Sequence, residues 1–590
     1  MVMSRMLMIR SLLASLLGLG LIVLGLPLAT YAQDNGATPQ LPEIAPREFE
    51  IRGQAQVSFP SLERQPLRGF VTQPRLPTLP PQRIPFTDTE AYTQALDVLP
   101  DPLPDAPAVS SRLHAGPPPS RGSLSADLGR YLTRSVDGVL ALPLSDTETL
   151  DLQVTYKGSS GHTAFNRTDT ETPYDNLHGR VRVESRRERF QLHGDLHGLI
   201  DDYTLYGAQR PVGIPVAASI PDRTGRSIGT TLGLSTDTSL PIEVGLRFDH
   251  TTYETTPDEN TPDRSLDESR LALDGAVQFP VGITNVRLDA TVATAGLNNG
   301  TFAGDMVAFD GGGDALAVRI GPYRVRAGAR VLAFQALRNP ADPARGEATA
   351  TFIAPTFDAL WTPRSALEVY ARNTPRLRMH DLPMLFRRNP FLDAIPSVRP
   401  SLETTNLESG VSVTTGPVRW TAFAGFRYAP SYLHFVPGPA FNTSTGPVRG
   451  TFSAAYDGAQ MWRGGGALAL EGLSRWQTTL RFELRNPTRT DTDRAVPNVS
   501  SFMLEHTSSA TFVRDKLRVS LHTTLEGPRY IDAQETEQVD AFFDLDVNAA
   551  YAVTPLIDVR LGLHNLGAME RWNRYPRPPA ILTTGLRIHW

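Results

Sequence analysis

From Gly122 to the last residue the chain alternates apolar and polar side chains, in segments of roughly 10–13 residues such as "TLDLQVTY", "PIEVGLRFDH", "KLRVSLHTTL" and "IDVRLGLHNL". Successive side chains of an extended strand point to opposite faces, so a period of two gives every strand one apolar and one polar face. In "FFDLDVNAAY", Phe543, Leu545, Val547 and Tyr551 share one face, while Asp544, Asp546 and Asn548 share the other. Carboxylates turned into a soluble core would be ruinous, whereas turned toward enclosed water they are harmless. No stretch carries a long helical period. The chain needs an architecture in which the apolar faces meet lipid and the polar faces meet a lumen.

The connections have the matching asymmetry. Short turns ("RRER" at Arg186, "PVG" at Pro280, "GP" at Gly321, "TGP" at Thr415, "TP" at Thr554) alternate with longer polar loops such as "ETTPDENTPDRSLDES" and "RNPTRTDTDRAVPN". Tight turns on one side and long loops on the other are how membrane barrels are strung; a β-sandwich shows no such regularity. A raw count gives about 23 strands, but chain ends on the same side require an even number. Assigning the first part of "TFSAAYDGAQMWRGGGALALEG" to an external loop leaves about 22. The predicted fold class is all-β: a transmembrane antiparallel outer-membrane β-barrel over residues 122–590.

Trp361, Trp420, Trp476 and Trp590 all fall beside short turns or at the chain end, where indoles would form a periplasmic aromatic girdle. In the final strand Leu582, Leu586, Ile588 and Trp590 are placed toward lipid, and Arg587 and His589 toward the lumen. Asp558, Arg560 and His564 join Asp544, Asp546 and Asn548 as lumen-facing polar residues. The last strand is expected to close against the first, near Ser123.

At the other end, Arg5 and Arg10 precede an apolar run from Leu12 to Ala29, followed by Thr30 and Ala32. That is the form of a signal peptide over residues 1–32, cleaved after Ala32, and implies export to the bacterial outer membrane. Residues 33–121 form a proline-rich periplasmic segment ("VTQPRLPTLPPQRIPF"), extended at about 3.1 Å per residue and unable to build a core. Within it, residues 47–59 alternate like a strand and could add to another sheet.

The remaining features narrow the chemistry. With no cysteine there are no disulfides or thiolate-held metals, and a net charge of −5 without a long basic run speaks against nucleic acid. No nucleophile elbow, phosphate loop or zinc-binding helix is present, so neither an enzyme nor a cofactor is expected. His193 and His197 share a strand face but stand about 13 Å apart by the usual rise, which suits lumen-facing residues rather than metal ligands. His380 and Asp381 form a similar adjacent pair in "RMHD". The acidic loop with Asp258, Glu259, Asp263 and Asp267 lacks the spacing of a calcium loop and reads as solvated. Among the arginine-rich spots, "ESRRER" lies at a turn near headgroups, and "FRRN" lies in a loop suited to an anionic solute.

Two stretches resemble the TonB-dependent outer-membrane receptors. "NPFLDAIPSVRPSLETTNLESGVSV" is similar to that family's segment entering a barrel strand, with Ser401 where the receptors carry glutamate and Glu403 nearby. "FFDLDVNAAYAVTPLIDVRLGLHNLGAMERWNRYPRPPAILTTGLRIHW" resembles its closing pattern. The resemblance implies an uptake barrel whose aromatic C-terminal strand engages the barrel-assembly machinery. It also implies a plug domain, which the proline-rich interval is too short and too poor in apolar residues to form. The expected function is therefore transport or uptake of an unidentified solute by a barrel lacking its own plug. The alternative is a structural or assembly barrel that anchors a proline-rich arm for a partner. A lumen this wide needs an occupant; the internal candidate is the long loop over residues 373–398, and the external one a separate plug or periplasmic partner.

Overall fold

The computed structural model describes residues 121–590 except 162–171, 206–220, 258–259, 282–283, 301–302, 337–347, 439–440, 444–445, 449–450, 474 and 568–579. The signal segment, the proline-rich interval up to residue 120, the strand-like residues 47–59, and Asp258 and Glu259 lie outside the described residues, whereas Arg121 already belongs to the first strand.

Twenty-two antiparallel strands make one closed wall, each paired with the next along the chain. Two three-residue pieces, Arg376–Arg378 and Ser401–Glu403, join the same sheet at one end without lengthening the ring. The first strand, Arg121–Gly129, pairs with the last, Ile581–His589, from Ser123 opposite His589 to Gly129 opposite Thr583. Closure is what a spanning sheet requires, because an open edge would leave backbone groups unpaired in hydrocarbon. The terminal residue completes the seam: Gly122 N–H donates to the Trp590 carbonyl at 3.0 Å, and Trp590 N–H donates back at 3.1 Å. The indole lies over Gly122, where a Cβ would come within 2.5 Å of the ring.

The two faces differ as the period of two requires. Residues 582, 584, 586, 588 and 590 are exposed, while 583, 585, 587 and 589 are half-buried. Exposed leucine, isoleucine, valine, phenylalanine and tryptophan recur on the outward face of the wall, for instance Leu196, Ile228, Leu232, Leu273, Ile353, Leu484 and Leu586. An apolar surface on that scale needs lipid rather than water.

Strands are longer than the alternating segments suggested. Val418–Pro437 has 20 residues and Phe452–Leu473 has 22. The first part of the latter is therefore continuous strand and not external loop, although the strand count is unaffected. Arg264–Val281 likewise begins inside the expected acidic loop, and Trp476–Arg489 absorbs "RNPTR". Above the apolar band a strand keeps its ladder while its outer face turns polar, so charge density alone misplaced these loop boundaries.

The seam register can be tested directly because the chain has no cysteine of its own. Ser123→Cys with His589→Cys should form a disulfide on mild oxidation, read as a shift in a non-reducing gel. Leu124→Cys with His589→Cys should not, since those side chains leave opposite faces.

Candidate functional site

The inward face of the wall carries ion pairs that cross between strands. Asp195 meets Arg180 and Arg182, and His197 lies 3.0 Å from Asp249 and 3.4 Å from Asp195. Arg330 reaches both Asp289 and Asp310 at 2.7 Å. Glu408 holds Arg372 at 2.6 Å and Arg463 at 2.8 Å. A cleft of about 210 Å³ opens beside Asp289, Asp314, Arg326, Arg330 and Asp358.

The expected lumen residues come together as a row over the last three strands and the first. Arg560 pairs with Asp127 across the seam at 2.9 Å, and His589 with Asp558 at 2.8 Å. Asp546 accepts from the Asn565 N–H at 3.0 Å and lies 3.5 Å from His564. Asp544, Asn548 and Arg587 share that face by register. The four tryptophans stand at the short-turn end on the opposite face. Trp361 stacks on Tyr323 with ring centroids 5.7 Å apart, and the Trp476 indole N–H donates to Ser508 Oγ at 3.0 Å. Trp420 and Trp590 are exposed, and Trp462 is an exposed outward indole further along its strand. Asp267 belongs to a strand and accepts from Thr252, and among the described residues no three His, Cys, Asp or Glu side chains gather as metal ligands.

The long loop does more than connect. Residues 374–404 leave the wall after Leu367–Asn373, cross the lumen at the long-loop end, and return at Thr405–Thr415; we call this segment the strap. At its centre is the helix Leu382–Arg388, which at seven residues is too short to carry a long helical period. Its signals were local: Asp381 caps it by accepting from the Met384 N–H at 2.8 Å, a proline follows at once, and two arginines end it. Leu382, Leu385, Phe386 and Leu392 are fully buried against inward-facing Leu266, Leu332, Leu433 and Phe435.

Its anchors lie on nearly opposite sides. Arg223, in the sixth wall strand, is fully buried; it donates to the Pro390 carbonyl at 3.0 Å, the Leu392 carbonyl at 2.8 Å and Thr255 Oγ1 at 3.0 Å. Its guanidinium also lies 4.4 Å from the Phe386 ring centroid. Glu268 accepts from the Leu382 N–H at 2.8 Å, and Arg270 pairs with Asp381 at 3.3 Å. Ten strands away, in a ring of twenty-two, Phe452 N–H donates to the Phe391 carbonyl at 2.9 Å, and Asp393 N–H donates to the Phe452 carbonyl at 2.7 Å. Residues 390–393 thus tie together two wall strands that stand ten apart in the ring. Nothing local in "PDRTGRS" marks Arg223 for this role, because its strap partners lie more than 160 residues away.

His380 is a buried residue of the strap, its Nε2 hydrogen-bonded at 2.6 Å to Ser401 Oγ, which also accepts from the Leu433 N–H. Burial, then Arg388, Arg378 and Arg270, push its pKa down to about 3. The unfolded imidazole titrates near 6.5, so the open strap takes up a proton that the closed one refuses. The closing free energy from this group is fully present above about pH 6.5 and is lost as pH falls toward 3. Proteolysis within the strap should therefore accelerate between pH 7 and pH 5, and the His380→Gln variant should flatten that dependence. A wild-type rate independent of pH over this window would refute it.

No protein-family model matches this chain, and no curated protein does. Solved structures do. The siderophore receptor PirA from Acinetobacter baumannii aligns at 12% identity over 80% of this chain and 80% of its own, with a TM-score of 0.59. The FrpB iron transporter from Neisseria meningitidis (F3-3 variant) aligns at 10% identity over 80% and 81%, with a TM-score of 0.61. The ferripyoverdine receptor of the outer membrane of Pseudomonas aeruginosa aligns at 12% identity over 80% and 72%, with a TM-score of 0.59. At this identity the likeness is one of fold, and the resemblance to TonB-dependent outer-membrane receptors is shared at the level of the closed twenty-two-stranded barrel.

Proposed function

We propose that this chain is a transport barrel of the bacterial outer membrane, passing a solute through a lumen narrowed by its own strap. The observation that carries this reading is the division of the wall: an outer face of exposed apolar side chains and an inner face of paired charges. Such an inner face suits water and polar solutes, and structural packing alone gives no reason for it. In this reading residues 1–32 direct export, the short-turn end with its four tryptophans is periplasmic, and the strap faces outward. The C-terminal strand engages the barrel-assembly machinery, lipid surrounds the wall, and the 33–121 interval supplies no plug of its own. Swelling of proteoliposomes in small polar solutes tests it: measurable entry supports transport, and none for any solute tested argues against it.

The number of anchors on the strap favours a second reading, in which the barrel mainly displays the proline-rich arm to a partner. Deleting residues 34–119 separates the two: a transporter keeps solute entry, whereas a scaffold loses its co-purifying protein.

A further inference from the structure

Arginine is concentrated on the strap beyond what its own pairing uses. Arg376 is held by Glu403 at 2.9 and 3.1 Å, and Arg427 of the wall lies 3.6 Å from the same carboxylate. Glu403 is therefore already shared by two guanidinium groups. Asp381 is occupied by Arg270. Arg378, Arg387, Arg388 and Arg399 then remain with no carboxylate within ion-pair distance among the described residues.

The fold brings Arg378, Arg388 and Arg399 around His380 and Tyr456, and Arg387 adjoins Arg388 in the helix. Arg378 stands opposite Ser401 in the short ladder, two residues beyond Arg399. Arg387 and Arg388 end the strap helix, and Arg388 lies 5.8 Å from the Phe435 ring centroid. His380, 6.0 Å from Tyr456 between ring centroids, feels both Arg378 and Arg388, while Tyr456 feels Arg388 and Arg399. Arg378, Arg387 and Arg388 are exposed, and Arg399 is half-buried. Like charges are gathered here with no carboxylate in ion-pair contact among the described residues, on a segment crossing the route a solute would take. Guanidinium forks match carboxylate and phosphate oxygens in pairs, so several together select anions carrying several such groups. The strap packs against inward-facing residues of the wall, which favours a solute in the lumen as the source of those groups.

We propose that Arg378, Arg387, Arg388 and Arg399 form a binding site for a soluble polyanion, with clustered phosphate or carboxylate groups, on the path through the barrel. The site deepens the transport reading and rests on it only for its purpose, not for its chemistry. Titration calorimetry on the full chain in detergent, with tripolyphosphate and citrate as probes and spermine as the cationic control, tests it. Wild-type protein should bind the polyanions, more weakly as salt is raised, and should not bind spermine. The variant R378Q/R387Q/R388Q/R399Q should lose at least about tenfold in affinity, while Arg514→Gln at a short turn should leave it unchanged. Because the quadruple variant can fail to assemble, R388Q and R378Q alone should each weaken binding in barrels that still migrate as folded in unheated gels. Absence of polyanion binding by wild type, or equal binding by these variants, would overturn the site. Binding without passage of any solute into liposomes would overturn the transport reading and leave the site standing; passage indifferent to tripolyphosphate, with no binding, would do the reverse.

Discussion

Replacing Arg223 by alanine should release the middle of the strap from the sixth wall strand while the barrel stays closed. The side chain makes three hydrogen bonds, two of them to strap carbonyls, and lies against the Phe386 ring. Hydrogen bonds from a charged donor contribute about 1.5–3 kcal/mol each, offset by the cost of burying the guanidinium. Truncation removes the donors but leaves the carbonyls: Pro390 keeps the Tyr203 hydroxyl at 3.1 Å, while the Leu392 carbonyl loses the guanidinium that holds it. Leaving a buried carbonyl unpaired costs about 1–3 kcal/mol, so strap opening should become about five- to a hundredfold more frequent. None of the wall's ladder bonds passes through this side chain, so seam pairing and heat-resistant migration should persist. Limited proteolysis is the readout: cleavage within residues 374–404 should be slow in wild type and fast in Arg223→Ala. Arg223→Lys, which keeps the charge without the fork, should fall between. Equal cleavage in all three would mean that Arg223 does not hold the strap.

The second large effect concerns which solvent each face meets. Leu586 and Val139 have similar exposure, 53% and 47%, yet leave opposite faces of the wall. Leu586 shares its face with Ile588 and Trp590; Val139 shares its face with Asp137 and with Ser135, which donates to Asp127. Arginine in place of Leu586 puts a guanidinium in hydrocarbon, costing about 2–4 kcal/mol near mid-depth. Arginine in place of Val139 should cost less than about 1 kcal/mol, because it enters water. Urea titration of the folded barrel in lipid vesicles separates them. Equal costs would mean that one or both faces have been assigned to the wrong solvent.

The barrel was legible in the sequence because its determinants are local. Alternation such as that of residues 582–590 assigns faces without any knowledge of neighbours, and turn length assigns ends. Even the seam follows, since a closed sheet leaves its first and last strands no other partners. What alternation could not show was where strands stop: in Arg264–Val281 and Phe452–Leu473 the ladder continues after the outer face turns polar. The strap was only half visible. Its length and its leucine, phenylalanine and proline content marked residues 373–398 as the internal candidate to occupy the lumen, and Asp381 followed by Leu382 and Pro383 carried a readable helix start. Arg223, Glu268 and Phe452 carried no signal, because their roles exist only once strands ten apart face each other across the lumen.

The central claim is that the strap restricts a water-filled, solute-conducting lumen, and single-channel conductance in planar bilayers tests it most directly. The full chain should conduct weakly. A variant in which residues 379–399 are replaced by a short glycine–serine linker should conduct roughly tenfold more, as expected when the cross-section of a wide barrel is cleared. A wide, voltage-independent conductance in the unaltered protein, unchanged when the strap is removed, would contradict the account.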